Sequence, residues 1–208
     1  MSDLHAAAVV LARSLTLGGT VFTIGAEEFA ASHLADDRFV ALDRGAAEEL
    51  LREGSRNGDA VLVLGDVPDR DRILRRAPAW GLAAVWVGET ARPDQGLASV
   101  ALLVPDTEST VAALMTEARG LVGNTVALAP AIVDCTDEVC ITCSDEGRLG
   151  EVIAVQGEYF PALVRTADGE EEVDVTVVGD VAPRDLILIH AGSAIALVPD
   201  GTDVRGNR

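Results

Sequence analysis

The sequence is short of aromatic residues and of positive charge. Only 3% of its 208 residues are aromatic while 49% are hydrophobic, so a folded core has to be built from Ala, Val, Leu and Ile. There are 16 basic residues against 34 acidic ones, which gives a net charge of −18. Nucleic acids and anionic membrane surfaces are bound by clustered Lys and Arg, and we therefore expect neither as a partner.

The sequence also lacks long apolar runs, and its few cysteines are not dispersed along the chain. No apolar run approaches the roughly 20 residues that span a bilayer. Residues 1–5 show no basic segment followed by an apolar one, so we expect no secretory signal and a cytoplasmic location, where thiols stay reduced. The three cysteines, Cys135, Cys140 and Cys143, lie within one short segment. Their clustering and odd number favour metal or redox chemistry over a disulfide framework.

The first part of the chain alternates helical and strand-like patterns. Apolar residues at helical spacing predict helices near residues 4–15, 27–34, 46–51, 70–77 and 109–121. Short continuous apolar runs predict strands at residues 21–24, 39–42, 60–64, 83–87 and 100–104. Buried strands that alternate with helices are typical of a parallel sheet with both faces covered. The sequence therefore predicts a three-layer α/β domain.

The pattern changes after about residue 125 to short strands with little helix. We predict these strands at residues 151–156, 162–164, 173–177 and 186–190, with a turn at residues 167–169. Closely spaced short strands indicate a small antiparallel β-barrel. The predicted organisation is an α/β domain at residues 1–124, a linker at 125–137, a barrel at 138–199 and a disordered tail at 200–208.

Two motifs flank the predicted barrel strands. Cys140-Ile-Thr-Cys143-Ser-Asp-Glu comes before them, and the last predicted strand runs into His190-Ala-Gly. In this order the motifs resemble the HypC/HupF family of hydrogenase-maturation chaperones, which are small OB-like barrels, and the likeness covers residues 138–198. The resemblance implies a binding protein rather than an enzyme. Such a protein carries the Fe(CN)2CO fragment from a HypD-like iron-scaffold protein to the precursor of the [NiFe]-hydrogenase large subunit.

The resemblance also implies particular site residues. Cys140 and His190 would be the iron ligands, with Cys143 able to take the place of Cys140, and a soft thiolate with an imidazole suits electron-rich iron. Partner contacts would come from the residues around these ligands: Thr142, Ser144, Asp145, Ala191 and Gly192. One departure stands out, because the family cysteine directly follows the initiator Met, whereas here it lies behind a whole domain.

Other interpretations of the same residues stay open. Cys135, Cys140, Cys143 and His190 have the chemistry of a structural zinc site. Free cysteines are also often simply buried apolar side chains. His190, on an apolar strand, is equally compatible with a core histidine whose hydrogen bonds are satisfied.

The first half has a weaker resemblance of its own, to the SIS family of phosphosugar-binding domains near the sedoheptulose-7-phosphate isomerase branch. The likeness covers residues 5–122 and is carried by residues 18–25, 57–64 and 75–81. In that family, Ser- and Gly-rich loops after two strands bind phosphate at helix N-termini. The resemblance implies homodimerisation or partner docking through this domain. It also implies an alternative function, a phosphosugar isomerase or binding protein with a zinc-stabilised C-terminal domain.

Acidic residues stand where those phosphate loops would be. The loops here read Gly25-Ala-Glu27-Glu28 and Gly65-Asp66-Val-Pro-Asp69. Carboxylates repel phosphate, so we expect this domain to be a degenerate member of its fold. We expect the four carboxylates to stabilise the starts of their own helices instead.

Overall fold

The computed structural model describes residues 3–25, 38–90, 92–93, 98–124, 147–155 and 161–199. The chain divides into two compact units, one formed by residues 1–77 and 81–130 and the other by residues 78–80 and 131–208. The predicted helix at residues 27–34, the linker at 125–137 and the tail at 200–208 lie outside the described residues. Within the described ranges, no helix is long and apolar enough to cross a membrane.

Helices and strands alternate along the first part of the chain. The described helices are α1 (Asp3–Thr16), α2 (Ala47–Gly54), α3 (Arg70–Arg76) and α4 (Thr107–Leu121), and a short 3₁₀ helix at Ala77–Trp80 follows α3. The strands are β1 (Val21–Ile24), β2 (Phe39–Leu42), β3 (Ala60–Leu64), β4 (Ala83–Gly88) and β5 (Val100–Leu103). The five predicted strands are confirmed to within one residue, because buried strands leave continuous apolar runs in the sequence.

The sheet of the first unit is parallel throughout, in the order β2-β1-β3-β4-β5. Its central strand β3 is buried at every position. Ala60, Leu62 and Leu64 pack in one core cluster with α1 and α4. Val61 and Val63 point to the opposite face, since side chains alternate along a strand, and they are equally buried. Both faces are therefore covered, as predicted for an α/β domain.

The second unit contains an antiparallel sheet. Its strands are β6 (Arg148–Val155), β7 (Ala162–Thr166), β8 (Gly169–Val173), β9 (Leu186–His190) and β10 (Ser193–Val198), in the order β10-β9-β6-β7-β8. The two outer strands approach each other just after β8, where Asp174 forms an isolated bridge with Ser193 of β10. The predicted antiparallel sheet is confirmed, and its description as an OB-like barrel stays a prediction.

Close strand packing in this sheet depends on a glycine. A Cβ atom at Gly150 of β6 would lie 2.4 Å from Val164 Cγ1 and 2.6 Å from Ile189 Cδ1, closer than carbon atoms can approach. Gly150 leaves that space to the valine and isoleucine side chains. The core here is aliphatic, as the scarcity of aromatics predicts: Val152, Ala162, Val164, Val173, Ile187, Ile189 and Ala194.

The strand predicted at residues 173–177 is wrong. Strand β8 ends at Val173, and Val177 is 73% exposed. The Asp174 carboxylate accepts hydrogen bonds from the Thr176 backbone N–H at 2.9 Å and from the Thr176 hydroxyl at 2.5 Å. A short polar side chain that bonds to the nearby backbone turns the chain away from a strand. Because of this turn, the alternating valines do not form the strand that their spacing predicts.

Two strand segments were not predicted. Strand β8 contains three consecutive glutamates, Glu170 to Glu172, which have low strand propensity. It forms because β7 pairs with it and because Arg148 reaches Glu171 at 2.7 Å. Strand β10 directly follows the His-Ala-Gly motif, where the sequence predicts only the end of the preceding strand.

Candidate functional site

The predicted ligand His190 is the last residue of β9, and two residues separate it from the start of β10. His190 and Ser193 face each other in the antiparallel pair. Between them, Ala191 and Gly192 have φ angles of 48° and 79°. Positive φ at both central residues is the mark of a type I′ turn, whose twist matches that of a two-stranded hairpin. The His-Ala-Gly motif is thus the tip of a tight hairpin, which we call the His190 hairpin (residues 186–198).

The residues of this tip differ in exposure. His190 is half-buried, whereas Ala191 and Gly192, two of the predicted partner contacts, are exposed. Alanine rarely adopts a left-handed backbone, because its Cβ atom crowds the following carbonyl oxygen. The conformation of Ala191 is therefore set by the pairing of β9 with β10 rather than by its own preference.

The other predicted site residues lie outside the described residues. This holds for Cys135, Cys140 and Cys143 and for the predicted partner contacts Thr142, Ser144 and Asp145. Among the residues that the structure describes, no three His, Cys, Asp or Glu side chains are grouped to hold a metal ion. The pairing of a cysteine with His190, for iron or for zinc, stays a prediction.

A second candidate site lies in the first unit, at the edge of the sheet where the parallel strands end. Ligands of open α/β sheets bind outside the carboxyl ends of the strands. The loops after β1, β2, β3 and β4 and the start of α4 line a cavity of about 330 Å³ there, which we call the carboxyl-edge pocket. Its lining residues are Gly25, Arg44, Leu64, Gly65, Asp66, Glu89, Thr90 and Thr107.

A carboxylate of the protein occupies the start of helix α4 in this pocket. Glu89 Oε1 accepts a hydrogen bond of 2.8 Å from the backbone N–H of Thr107, the first residue of α4. The first N–H groups of a helix have no partner within the helix, and they are the donors that bind phosphate in many proteins. Glu89 therefore places a negative charge where a phosphate would bind.

Asp106 adds a second carboxylate at the same helix start. It is the N-cap of α4 and accepts hydrogen bonds from the Ser109 backbone N–H at 3.2 Å and from the Ser109 hydroxyl at 2.6 Å. Both bonds lower the pKa of Asp106 below its ordinary value, and the bond from the Ser109 hydroxyl has the larger effect. The start of α4 is thus stabilised by two carboxylates from within the chain.

Asp66, after β3, belongs to a second hydrogen-bond network in the pocket lining. Its carboxylate accepts hydrogen bonds from the Thr90 hydroxyl and, at 2.8 Å, from Arg70 Nη1. Arg70 also donates to Asp71 at 2.7 Å, and its guanidinium lies 5.3 Å from the centre of the buried Trp86 ring. These contacts fix the orientation of the Asp66 side chain.

Neither of the two loop carboxylates that the structure describes, Asp66 and Asp69, caps its own helix through a hydrogen bond to a backbone N–H group. Asp69 is the N-cap of α3, but it has a left-handed backbone with φ of 58° and makes no side-chain capping hydrogen bond. Asp66 binds the side chain of Arg70, the first residue of α3, instead of its backbone N–H. Glu27 and Glu28 lie outside the described residues.

Sequence reasoning missed Glu89, Thr90 and Thr107 as pocket residues. The available clue was position, because Glu89 and Thr90 directly follow the apolar run of β4 and therefore reach the carboxyl edge of the sheet. The partner of Glu89 could not be read from the sequence, since Thr107 lies 18 residues further along.

Comparison with known proteins identifies no family for this chain. No protein-family model matches the sequence, and no curated protein sequence is significantly similar to it. A similar solved structure is that of a candidate phosphosugar isomerase involved in capsule formation from Bacteroides fragilis, at 16% sequence identity. The match covers 61% of this chain and 81% of that protein, with a TM-score of 0.42. Another is a candidate sugar-phosphate isomerase from Listeria monocytogenes, at 17% identity over 57% of this chain and 72% of that protein, with a TM-score of 0.39. Similarity at this level establishes no shared activity.

Proposed function

We propose that this chain is a HypC/HupF-type chaperone that carries the Fe(CN)2CO fragment to the precursor of the [NiFe]-hydrogenase large subunit. The observation that supports the proposal is the His190 hairpin. A half-buried histidine ends a strand, and an exposed two-residue tip follows it. This arrangement places an imidazole next to an exposed tip, so that a metal fragment bound at His190 would lie beside Ala191 and Gly192, the residues proposed to contact a partner.

The proposed chemistry uses two protein ligands. His190 supplies an imidazole nitrogen, and Cys140, or Cys143 in its place, supplies a thiolate. Closed structural metal sites use four protein ligands, so a fragment held by two can be passed on more readily. A HypD-like scaffold protein would supply the fragment, with Thr142, Ser144 and Asp145 contributing to partner contacts. The first unit would join two copies of the chain.

Infrared spectroscopy tests the carrier function directly. Protein produced together with the maturation scaffold and purified without oxygen should show bands of bound cyanide and carbon monoxide, in a region where proteins do not absorb. His190→Ala and Cys140→Ala should each remove the bands, and Cys143→Ala should weaken them less. His5→Ala, in helix α1 of the first unit, is the matched control and should keep them. Bands that persist in both His190→Ala and Cys140→Ala would rule out the ligand assignment.

The carboxyl-edge pocket supports a second candidate function, a phosphosugar isomerase or binding protein with a zinc-stabilised C-terminal domain. The pocket has the position and size of a small-molecule site, and its lining includes Thr90, Thr107 and Arg44. Glu89 and Asp66 oppose this function, because their carboxylates repel a phosphate.

Thermal unfolding with sedoheptulose 7-phosphate separates the two candidates. The carrier proposal expects no change in melting temperature. Saturable stabilisation, which is about 2.7 kcal/mol at a hundred times the dissociation constant, would favour the second candidate. Assays of isomerisation on the same samples would then establish whether the chain turns the sugar over or only binds it.

Removing the charge of Glu89 tests whether this carboxylate keeps phosphate out of the pocket. Glu89→Gln keeps an oxygen that can accept the Thr107 hydrogen bond but removes the negative charge from the start of α4. We expect this variant to gain phosphosugar binding that the native chain lacks. Glu108→Gln is the matched control, because it removes one charge from the first turn of the same helix outside the pocket lining. Equal binding by both variants would show that net charge, and not Glu89, excludes the ligand.

A further inference from the structure

A third stretch of chain holds the tip of the His190 hairpin in place. Asp174, just after β8, donates its backbone N–H to the Gly192 carbonyl at 3.1 Å. Its own carbonyl accepts a hydrogen bond of 2.7 Å from the Ala194 N–H. The two bonds lie on either side of Ser193, the residue that faces His190 across the hairpin. The hairpin is therefore attached to the sheet through β9 and, at its tip, also through Asp174.

The Asp174 side chain explains why this attachment is firm. Its carboxylate accepts hydrogen bonds from the Thr176 N–H and hydroxyl. Both bonds hold the pKa of Asp174 below its ordinary value, and the bond from the Thr176 hydroxyl has the larger effect. A side chain that bonds two residues ahead fixes the local backbone in one turn. The N–H and carbonyl of Asp174 are thereby directed towards Gly192 and Ala194.

We propose that Asp174 is a positioning residue for His190. Its carboxylate shapes the turn at residues 174–176, and its backbone then closes the hairpin and holds the imidazole in one orientation. The importance of this orientation for cargo rests on the proposed carrier function. With few protein ligands, a carrier depends on the placement of each one, and small displacements of a ligand weaken binding strongly.

The tip needs such support because of its own backbone. Left-handed geometry is unfavourable for a residue with a Cβ atom, and an isolated hairpin would relieve it at Ala191 by rearranging. The two bonds to Asp174 oppose that rearrangement. Loss of the carboxylate should therefore change the orientation of the His190 ring, although Asp174 is not itself one of the proposed metal ligands.

The test compares three variants of the full chain. Asp174→Ala removes the side-chain acceptor, Asp174→Asn retains an oxygen that can accept the Thr176 N–H, and Asp180→Ala is a control at another exposed aspartate of the same unit. Loss of a local cap of this kind should make hydrogen exchange at the Ala194 amide about five- to tenfold faster in Asp174→Ala. The asparagine variant and the control should exchange as the native chain does.

Ring NMR signals of His190 supply the second readout, and the chain's 3 histidines make them simple to assign. We expect these signals to shift or broaden in Asp174→Ala and to be restored in Asp174→Asn. Native exchange at Ala194 together with a native His190 signal in Asp174→Ala would overturn the proposal. Faster exchange with an unchanged His190 signal would overturn it too, because Asp174 would then serve stability alone.

Cobalt titration separates this proposal from the carrier function. Co²⁺, used as a substitute for Fe²⁺, should perturb the His190 ring signals of the native chain. If it does not, the metal-carrying function loses its support. The positioning role of Asp174 is decided by the exchange and ring measurements without metal.

Discussion

At the scale of single residues, the tip of the His190 hairpin places an alanine in a backbone conformation that residues with a side chain disfavour. Type I′ turns favour Asn-Gly, because both central residues need positive φ and Asn tolerates it better than other residues with a side chain. This chain has Ala191-Gly192 instead. An exposed alanine at that position gives up stability that asparagine would supply.

Substitutions at Ala191 should therefore change stability in opposite directions. We expect Ala191→Asn to raise the free energy of unfolding by up to about 1 kcal/mol, and Ala191→Val to lower it by about 1–2 kcal/mol, since a β-branched side chain is poorly tolerated at positive φ. Urea unfolding measures both. Ala41→Val is the control, because Ala41 is exposed on β2 and strands favour valine. A stable Ala191→Val variant would show that the turn differs from type I′.

At the scale of elements, two of the chain's many acidic residues stabilise the start of helix α4. Glu89 and Asp106 both place carboxylates on the first N–H groups of the helix. The positive end of the helix dipole stabilises negative charge there. The Glu89 contact also occupies a backbone N–H donor at the helix start, the kind of group that binds anions in other proteins.

The Asp106 cap should make stability depend on pH in a definite direction. Because folding lowers the pKa of Asp106 below 3.8, the charged cap stabilises the native state above that value. This contribution is lost as the pH falls through the lowered pKa. We expect the melting temperature of the native chain to fall more steeply between about pH 5 and about pH 2 than that of Asp106→Asn, which cannot titrate. Parallel curves for the two proteins would contradict the role of the charged cap; Glu108→Gln controls for the loss of one charge.

At the scale of the whole molecule, the net charge of −18 sets the response to salt. Like charges repel one another more strongly in the compact state, and salt screens that repulsion. The melting temperature at neutral pH should therefore rise when NaCl increases from about 0.01 M to about 0.15 M, over which the screening length falls from about 30 Å to about 8 Å. The rise should disappear near the isoelectric point of about 4.3, where the net charge vanishes. A melting temperature that falls with salt at neutral pH would show that attractive ion pairs dominate.

The sequence by itself determined the parallel sheet of the first unit. Strands such as β1 and β3 are buried on both faces, so every position in them is apolar or nearly so. Such continuous apolar runs can be recognised in the sequence without knowing which strands pair. The antiparallel sheet was predicted less completely, because its strands are half-exposed and the amino acids of β8 oppose strand formation. The motif that ends β9 could be located from sequence, but its geometry could not.

Only the tertiary structure decided the features that depend on residues far apart in the chain. The Asp174 side chain forms a local turn, yet its importance comes from backbone bonds to Gly192 and Ala194. Glu89 likewise follows an apolar strand like many loop residues, and its bond to Thr107 exists because parallel strands and the next helix start meet at one edge. Local patterns record burial and turns, whereas these contacts are created when separate elements pack together.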